Sequence, residues 1–170
     1  TSNLSAADYR GGSGNDTFNL GGANATFLYS GTSNGEDRFS GNVVGDGVVH
    51  TIVGADSGTV IGLASGFNNG VDVIEGNGAR VTGSGSSDTL NFSEVEINGV
   101  SEIDAGGGND TVTTSNLSAA DYRGGSGNDT FNLGSANATM HYAGTSNGED
   151  RFTGNVVGDG VVHTIVGADS

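Results

Sequence analysis

Residues 11–19 read GGSGNDTFN, and the same nine residues recur at 124–132. The recurrence belongs to a larger duplication. Residues 1–57 reappear as residues 114–170, an offset of 113, with five positions changed: Gly22/Ser135, Phe27/Met140, Leu28/His141, Ser30/Ala143 and Ser40/Thr153. The 170-residue chain thus holds one and a half copies of a 113-residue unit, with residues 58–113 present once. Repeated units bury their apolar faces against one another rather than in separate cores, so the repeat sets the fold problem. The expectation is one continuous structure over 1–170, in which 1–113 is a full unit and 114–170 the first half of the next, cut from a longer array.

A shorter period runs inside the unit. Gly-x-Asp ends at Asp16, Asp37, Asp56, Asp72, Asp110, Asp129, Asp150 and Asp169, and Ser86/Asp88 fills the one gap. The Asp residues are 16 to 22 apart, about 19 on average, which divides the 113-residue unit into six. Most of them are followed two positions later by an apolar residue: Phe18, Phe39, Ile74, Leu90, Val112, Phe131 and Phe152. Half a period on comes a second apolar run, such as ATFLY (25–29), VVHTIV (48–53), ARV (79–81), VEI (95–97) or DYR (121–123). Each period therefore reads as two or more short strands joined by Gly/Asn/Asp/Ser turns. Strands this short cannot form separate domains with adequate cores, but stacked as coils they bury alternate apolar residues in one column. The predicted fold is all-β: a parallel β-solenoid, of β-roll or β-helix type, with about nine coils of about 19 residues. At about 4.8 Å per coil the rod is on the order of 43 Å long. The competing architecture is a β-sandwich for each repeat, which offers no reason for a regular Gly-x-Asp mark.

Composition agrees with a solenoid and excludes several function classes. The chain has 33 Gly, no Pro, no Cys and no Trp. Gly serves corners that need positive φ, and Pro would delete a ladder hydrogen bond in nearly any coil. The lack of Cys removes disulfides and thiolate metal sites. Twenty acids face five basic residues, all Arg, for a net charge of -15. That balance excludes electrostatic nucleic-acid binding, which needs a basic face. No apolar run approaches the roughly 20 residues of a membrane-spanning helix.

The segments 11–19 and 124–132 fit G-G-x-G-x-D-x-U-x at every specified position; AGGGNDTVT (105–113) and GSGSSDTLN (83–91) fit less fully. In these four segments the chain resembles the RTX, or hemolysin-type, calcium-binding repeat family. The motif has a physical rationale. Ca²⁺ takes six to eight oxygen ligands, and a Gly-rich turn can point several carbonyls one way while Asp adds charge. In that family the Asp and carbonyls of one turn share an ion with the next. Carried over, the resemblance implies a cofactor, Ca²⁺, held between neighbouring turns by Asp16, Asp37, Asp88, Asp110, Asp129 and Asp150. The carbonyls would come from Gly11, Gly12, Gly14, Gly106, Gly107, Gly124, Gly125 and Gly127. It pairs Asp110 with Asp129, Asp88 with Asp110, Asp150 with Asp129, and Asp16 with Asp37. The sequence departs from the family by carrying the motif once per coil, on one edge, with irregular coil lengths. A metal-free alternative stands beside it: Asp and Asn are frequent in turns because they cap local backbone groups.

Other constellations are weaker. His141 replaces Leu28, which places that position toward solvent. Arg10, Arg38, Arg123 and Arg151 each follow an acid-containing turn, suggesting local ion pairs. Glu94 and Glu96 alternate as on an exposed strand. No catalytic constellation is legible, and no enzyme activity is expected. Tandem modules with RTX-like turns resemble the repeat regions of large bacterial secreted or surface adhesins. The expected role is a structural spacer: a rigid, calcium-stabilised rod that carries other domains toward a host or matrix glycan or protein in cell adhesion and biofilm. Its partners would be adjacent repeats of the same chain, with no nucleic acid and no membrane insertion, as an extracellular monomer. The alternatives are an export or folding β-roll attached to a secreted enzyme, and a solenoid whose flat face binds glycan or ice.

Overall fold

The computed structural model describes residues 7–41, 47–68, 70–142, 146–154 and 160–167. It is all-β, with parallel sheets stacked as a solenoid of about seven turns. In chain order the first strands are β1 (Ala7–Tyr9), β2 (Thr17–Asn19), β3 (Ala25–Tyr29), β4 (Arg38–Ser40), β5 (His50–Gly54) and β6 (Val60–Gly62). Next come β7 (Val73–Glu75), β8 (Arg80–Thr82), β9 (Thr89–Asn91), β10 (Glu96–Asn98), β11 (Glu102–Asp104) and β12 (Thr111–Thr113). The last are β13 (Ala120–Arg123), β14 (Thr130–Leu133), β15 (Ala138–Tyr142), β16 (Arg151–Gly154) and β17 (His163–Gly167).

These strands stack as columns in the orders β1-β3-β5-β7-β10, β6-β8-β11-β13-β15-β17, β9-β12-β14-β16 and β2-β4. Two bridges, Asp37↔Leu63 and Phe67↔Leu90, carry the β2-β4 column through residues 63–67 into β9. The central rungs, β7-β8-β9 and β10-β11-β12, have three sides. The duplicated rungs β1-β2, β3-β4, β13-β14 and β15-β16 have two.

The expected nine coils are corrected to about seven. Along the β2-to-β16 face, successive rungs are offset by 21 (Thr17↔Arg38), 26 (Asp37↔Leu63), 23 (Phe67↔Leu90), 22 (Thr89↔Thr111) and 19 (Thr111↔Thr130) residues. Five rungs therefore span one 113-residue unit, although it carries six Asp marks. The surplus arises because Asp56 and Asp72 do not lie on the stacked turn edge. Asp56 caps the β5–β6 connection, where its Oδ1 accepts from Gly58 N–H at 3.0 Å and the Thr59 hydroxyl at 3.1 Å. Asp72 lies just before β7, and its Oδ2 accepts the N–H of His50 at 2.9 Å. About seven rungs at about 4.8 Å make a rod on the order of 34 Å.

Alternation along each strand builds the core. In β3 and β5 every second residue is buried. Phe18 lies over Phe39 and Phe131 over Phe152, each pair stacked with ring centroids 5.3 Å apart. Leu90, Val112 and Phe131 are in register in the same column. A second column runs Ile61, Val81, Ile103, Tyr122 and Met140. Phe27 and its copy Met140 are both buried, a swap between two large apolar side chains.

The junction between copies is made by the same ladder as every other rung. β13 pairs with β11 (Ile103↔Tyr122), and β14 pairs with β12 (Val112↔Phe131). The first copy, β1-β3-β5, leads into β7 and β10, whereas β13-β15-β17 continues a column begun at β6. Each unit thus opens one column and closes another. Asn34 helps open the new one, its amide donating to Val60 O at 2.8 Å. The 114–119 turn closes the old one, with Ser118 Oγ accepting Ile97 N–H and Ser115 Oγ donating to Val95 O.

Candidate metal centre

The turn edge before β2, β4, β9, β12, β14 and β16 gathers the motif residues. The N–H of Asp16 donates to Asp37 Oδ1 at 2.8 Å. Asp88 N–H donates to Asp110 Oδ1 at 2.7 Å, Asp110 N–H to Asp129 Oδ1 at 2.8 Å, and Asp129 N–H to Asp150 Oδ1 at 2.8 Å. All four Asp pairs named from the sequence therefore lie one rung apart. The series breaks between Asp37 and Asp88, because the intervening rung places Leu63 beside Asp37.

A second ladder runs the other way. Asn15 Oδ1 accepts Glu36 N–H, Asn109 Oδ1 accepts Asn128 N–H, and Asn128 Oδ1 accepts Glu149 N–H, each at 2.9 Å. In the pairs Asn109-Asp110 and Asn128-Asp129, Asp reaches back to the preceding rung and Asn reaches forward to the following one. Turn N–H groups that lack strand partners are satisfied by these two side chains.

The motif glycines answer to the stack. A Cβ on Gly124 would lie 2.1 Å from Asp129 Oδ2, and one on Gly11 would lie 2.5 Å from Asp16 Oδ2. The first Gly thus leaves room for the carboxylate. Gly125 and Gly127 have φ of +96° and +119°, and a Cβ on either would lie 1.9 Å from the carbonyl oxygen of Gly106 or Gly108 one rung away. Gly107 N–H donates to Ser84 O and Ser126 N–H to Gly106 O, both at 3.0 Å.

Burial perturbs these acids. Asp37, Asp88, Asp110 and Asp129 are buried. Desolvation pushes the Asp110 carboxyl up to about 7, with the backbone N–H of Asp88 opposing and the charges of Asp129, Asp88 and Asp104 adding. Asp129 is raised by desolvation too, opposed by Asp110 N–H and reinforced by Asp150 and Asp104. Asp37 is raised by desolvation, although the Tyr29 hydroxyl donates to its Oδ2 at 2.5 Å.

A hard cation finds an acceptor set of carboxylate and carbonyl oxygens. The Oδ2 atoms of Asp16, Asp110 and Asp129 are buried without a hydrogen-bond partner among the described residues. Orphaned anionic oxygens beside stacked glycine carbonyls suit the mixed ligation Ca²⁺ accepts. Each of three rungs supplies one such Asp. Among the described residues no three His, Cys, Asp or Glu side chains converge as a metal-binding group. Asp88 differs, its Oδ2 accepting Ser84 N–H at 2.6 Å while its own N–H joins the ladder.

No protein-family model, curated protein or solved structure matches this chain.

Other sequence candidates separate from this edge. Asp169 lies outside the described residues. The local ion pairs expected for the arginines are corrected. Arg123 pairs with Glu102 of the neighbouring rung at 3.3 Å, and Arg80 pairs with Glu102 and Asp104. Arg10, Arg38 and Arg151 join no ion pair among the described residues. The acids preceding Arg38 and Arg151 face inward, while the arginines alternate outward. His141 is half-buried and lies 3.5 Å from Asp121 across β13 and β15. Glu94 and Glu96 line an open groove of about 610 Å³ with Asp72, Val49 and Leu117. Neither the inter-rung arginine pairing nor this groove has a signal at fixed sequence spacing.

Proposed function

We propose that the chain is a structural repeat module of a large extracellular bacterial adhesin, an RTX-like rod stiffened by calcium. The observation that carries this reading is the unbroken ladder across the duplication. Copy joins copy through β11-β13 and β12-β14 in the same parallel register as any other rung. Adding units then adds length without a hinge, as in other solenoids. Five rungs per unit at about 4.8 Å add about 24 Å per repeat.

In this reading Asp110 and Asp129 hold the ion from adjacent rungs, with Gly106, Gly107, Gly124, Gly125 and Gly127 offering carbonyls. Asp16 and Asp37, Asp88, Asp150, Gly11, Gly12 and Gly14 form the equivalent edge elsewhere. The ion would neutralise carboxylates stacked about 4.8 Å apart. The chain's own residues do the rest. Ladder hydrogen bonds fix the register, the apolar columns resist bending, and the Asn ladder ties turn to turn.

Melting the chain in Ca²⁺ and in EDTA tests the calcium part. A site filled to tenfold its dissociation constant adds about 1.4 kcal/mol, so several sites raise Tm by several degrees. An unchanged Tm removes calcium and leaves the rod. Small-angle scattering of chains with one and two further units tests the spacer: a length gain far from about 24 Å per unit rejects it.

A further inference from the structure

The β9-β12-β14-β16 sheet turns an unusual face outward for so acidic a chain. One rank reads Thr89, Thr111, Thr130 and Arg151 in direct register. The rank two residues on reads Asn91, Thr113, Asn132 and Thr153. The same pattern opens the first copy, Thr17 beside Arg38 and Asn19 beside Ser40. No acid occurs on this face of the strands. The outward faces of the other two long columns carry Glu75 and Glu96, or Glu102, Asp104 and Asp121. Asp37 and Asp150, immediately before the arginines, turn inward, and Glu36 and Glu149 sit back at the turn edge.

The two ranks differ in what they leave free. In the second, Thr153 Oγ1 donates to Asn132 Oδ1 at 2.6 Å and Asn132 Nδ2 to Thr113 Oγ1 at 3.4 Å, so its side chains are tied to one another. In the first, the hydroxyls of Thr89, Thr111 and Thr130 make no hydrogen bond to the protein among the described residues. Arg38 and Arg151 are exposed and unpaired there, while Arg80 and Arg123 are neutralised elsewhere by Glu102 and Asp104. The free cations on the strands therefore concentrate on the one acid-free face.

From this we infer that the face is a binding strip for a linear anionic polysaccharide lying along the solenoid axis. Threonine hydroxyls about 4.8 Å apart offer donors and acceptors at near-regular steps, and β-branching holds their χ1 in place. Arginine forks carboxylate or sulfate groups bidentately. A protein partner would call for buried aromatic anchors, and this face exposes none. A nucleic acid would need many more cations. The inference goes beyond the spacer reading by making the rod itself adhesive, and it needs no calcium.

The test measures binding of the full chain to immobilised hyaluronate and chondroitin sulfate, with neutral dextran as control, in Ca²⁺ and separately in EDTA. Two double variants are compared: Thr111→Val with Thr130→Val, and Arg38→Ala with Arg151→Ala. The wild type should bind one of the anionic polymers, and each double variant should weaken that binding about tenfold or more. Unchanged circular dichroism and Tm would show that the variants fold. Binding to neither anionic polymer overturns the inference, as does equal binding by dextran or by the variants. Ice-growth inhibition without polysaccharide binding overturns it too. Because the binding assay is repeated in EDTA, loss of the calcium reading alone leaves its result intact.

Discussion

The backbone N–H of Asp110 donates to Oδ1 of Asp129, one rung away, at 2.8 Å, while Asp129 Oδ2 is buried without a hydrogen-bond partner among the described residues. One side chain thus does two separable things: it satisfies a buried N–H and it places an unmet negative charge in the turn. Asp129→Asn keeps an acceptor for Asp110 N–H and removes the charge. In EDTA this variant is expected to melt at or above the wild-type temperature, because repulsion from Asp110 and Asp150 is relieved. In Ca²⁺ it should lose part of the wild-type gain. Asp129→Ala strands the N–H and should cost about 1–3 kcal/mol in either buffer. An Asp129→Asn chain that gains as much from Ca²⁺ as the wild type removes this residue from the site.

Protonation should stabilise the metal-free turns and compete with calcium for them. The Asp110 carboxyl is raised from its ordinary 3.8 to about 7, and Asp37 and Asp129 are raised as well. Between those values the folded chain holds more protons than the unfolded chain, so stability falls as pH rises from about 4 to about 7. In EDTA, therefore, Tm should be higher near pH 5 than near pH 8. A bound cation favours the ionised carboxylates, so Ca²⁺ should flatten or invert that slope. A Tm in EDTA that climbs steadily from pH 5 to pH 8 contradicts the raised Asp column.

The motif glycines allow a comparison between identical sequences. Gly14 and Gly127 are copies with φ of +105° and +119°, but only Gly127 has a carbonyl, that of Gly108, where a Cβ would go. Gly14→Ala bears the backbone strain alone. Gly127→Ala adds a clash with backbone that cannot swing aside, and should be the more destabilising by about 1–3 kcal/mol. Urea unfolding of the two variants measures the difference. Equal losses would show that the turns do not stack as closely as described.

Much of the fold was legible because one residue pattern repeats on one edge. Asp followed two residues later by an apolar side chain places Phe18, Phe39, Leu90, Val112, Phe131 and Phe152 on β2, β4, β9, β12, β14 and β16. Ile74 obeys the same pattern but lies on β7, in another column, because Gly-x-Asp marks a turn without saying which corner it turns. That ambiguity produced the surplus coils. ARV (79–81) marks β8, but β11 on the third side of the next rung is hidden, since the three-residue strand Glu102–Asp104 has no periodicity of its own. The Asp pairings followed from the resemblance of the turns to the calcium-binding repeats. The arginine partners were not readable, because Arg80–Glu102–Arg123 runs between rungs whose lengths only the register fixes.

The duplication also places one isoleucine in two environments. Ile52 on β5 is covered by Ile74 of β7 and is fully buried. Its copy Ile165, on β17 at the edge of its column, is 59% exposed. The strand sequence HTIVG is the same in both, and each isoleucine lies over a large buried residue, Phe27 or Met140, so the main difference is the rung on top. Ile52→Ala should cost about 2–5 kcal/mol by removing packed volume from the column. Ile165→Ala should cost well under that, within the range of surface changes. Were stability set by each strand's local sequence, the two losses would match. A ratio near one in urea unfolding would therefore reject a core built from contacts between rungs, whereas a large ratio measures what one covering rung contributes.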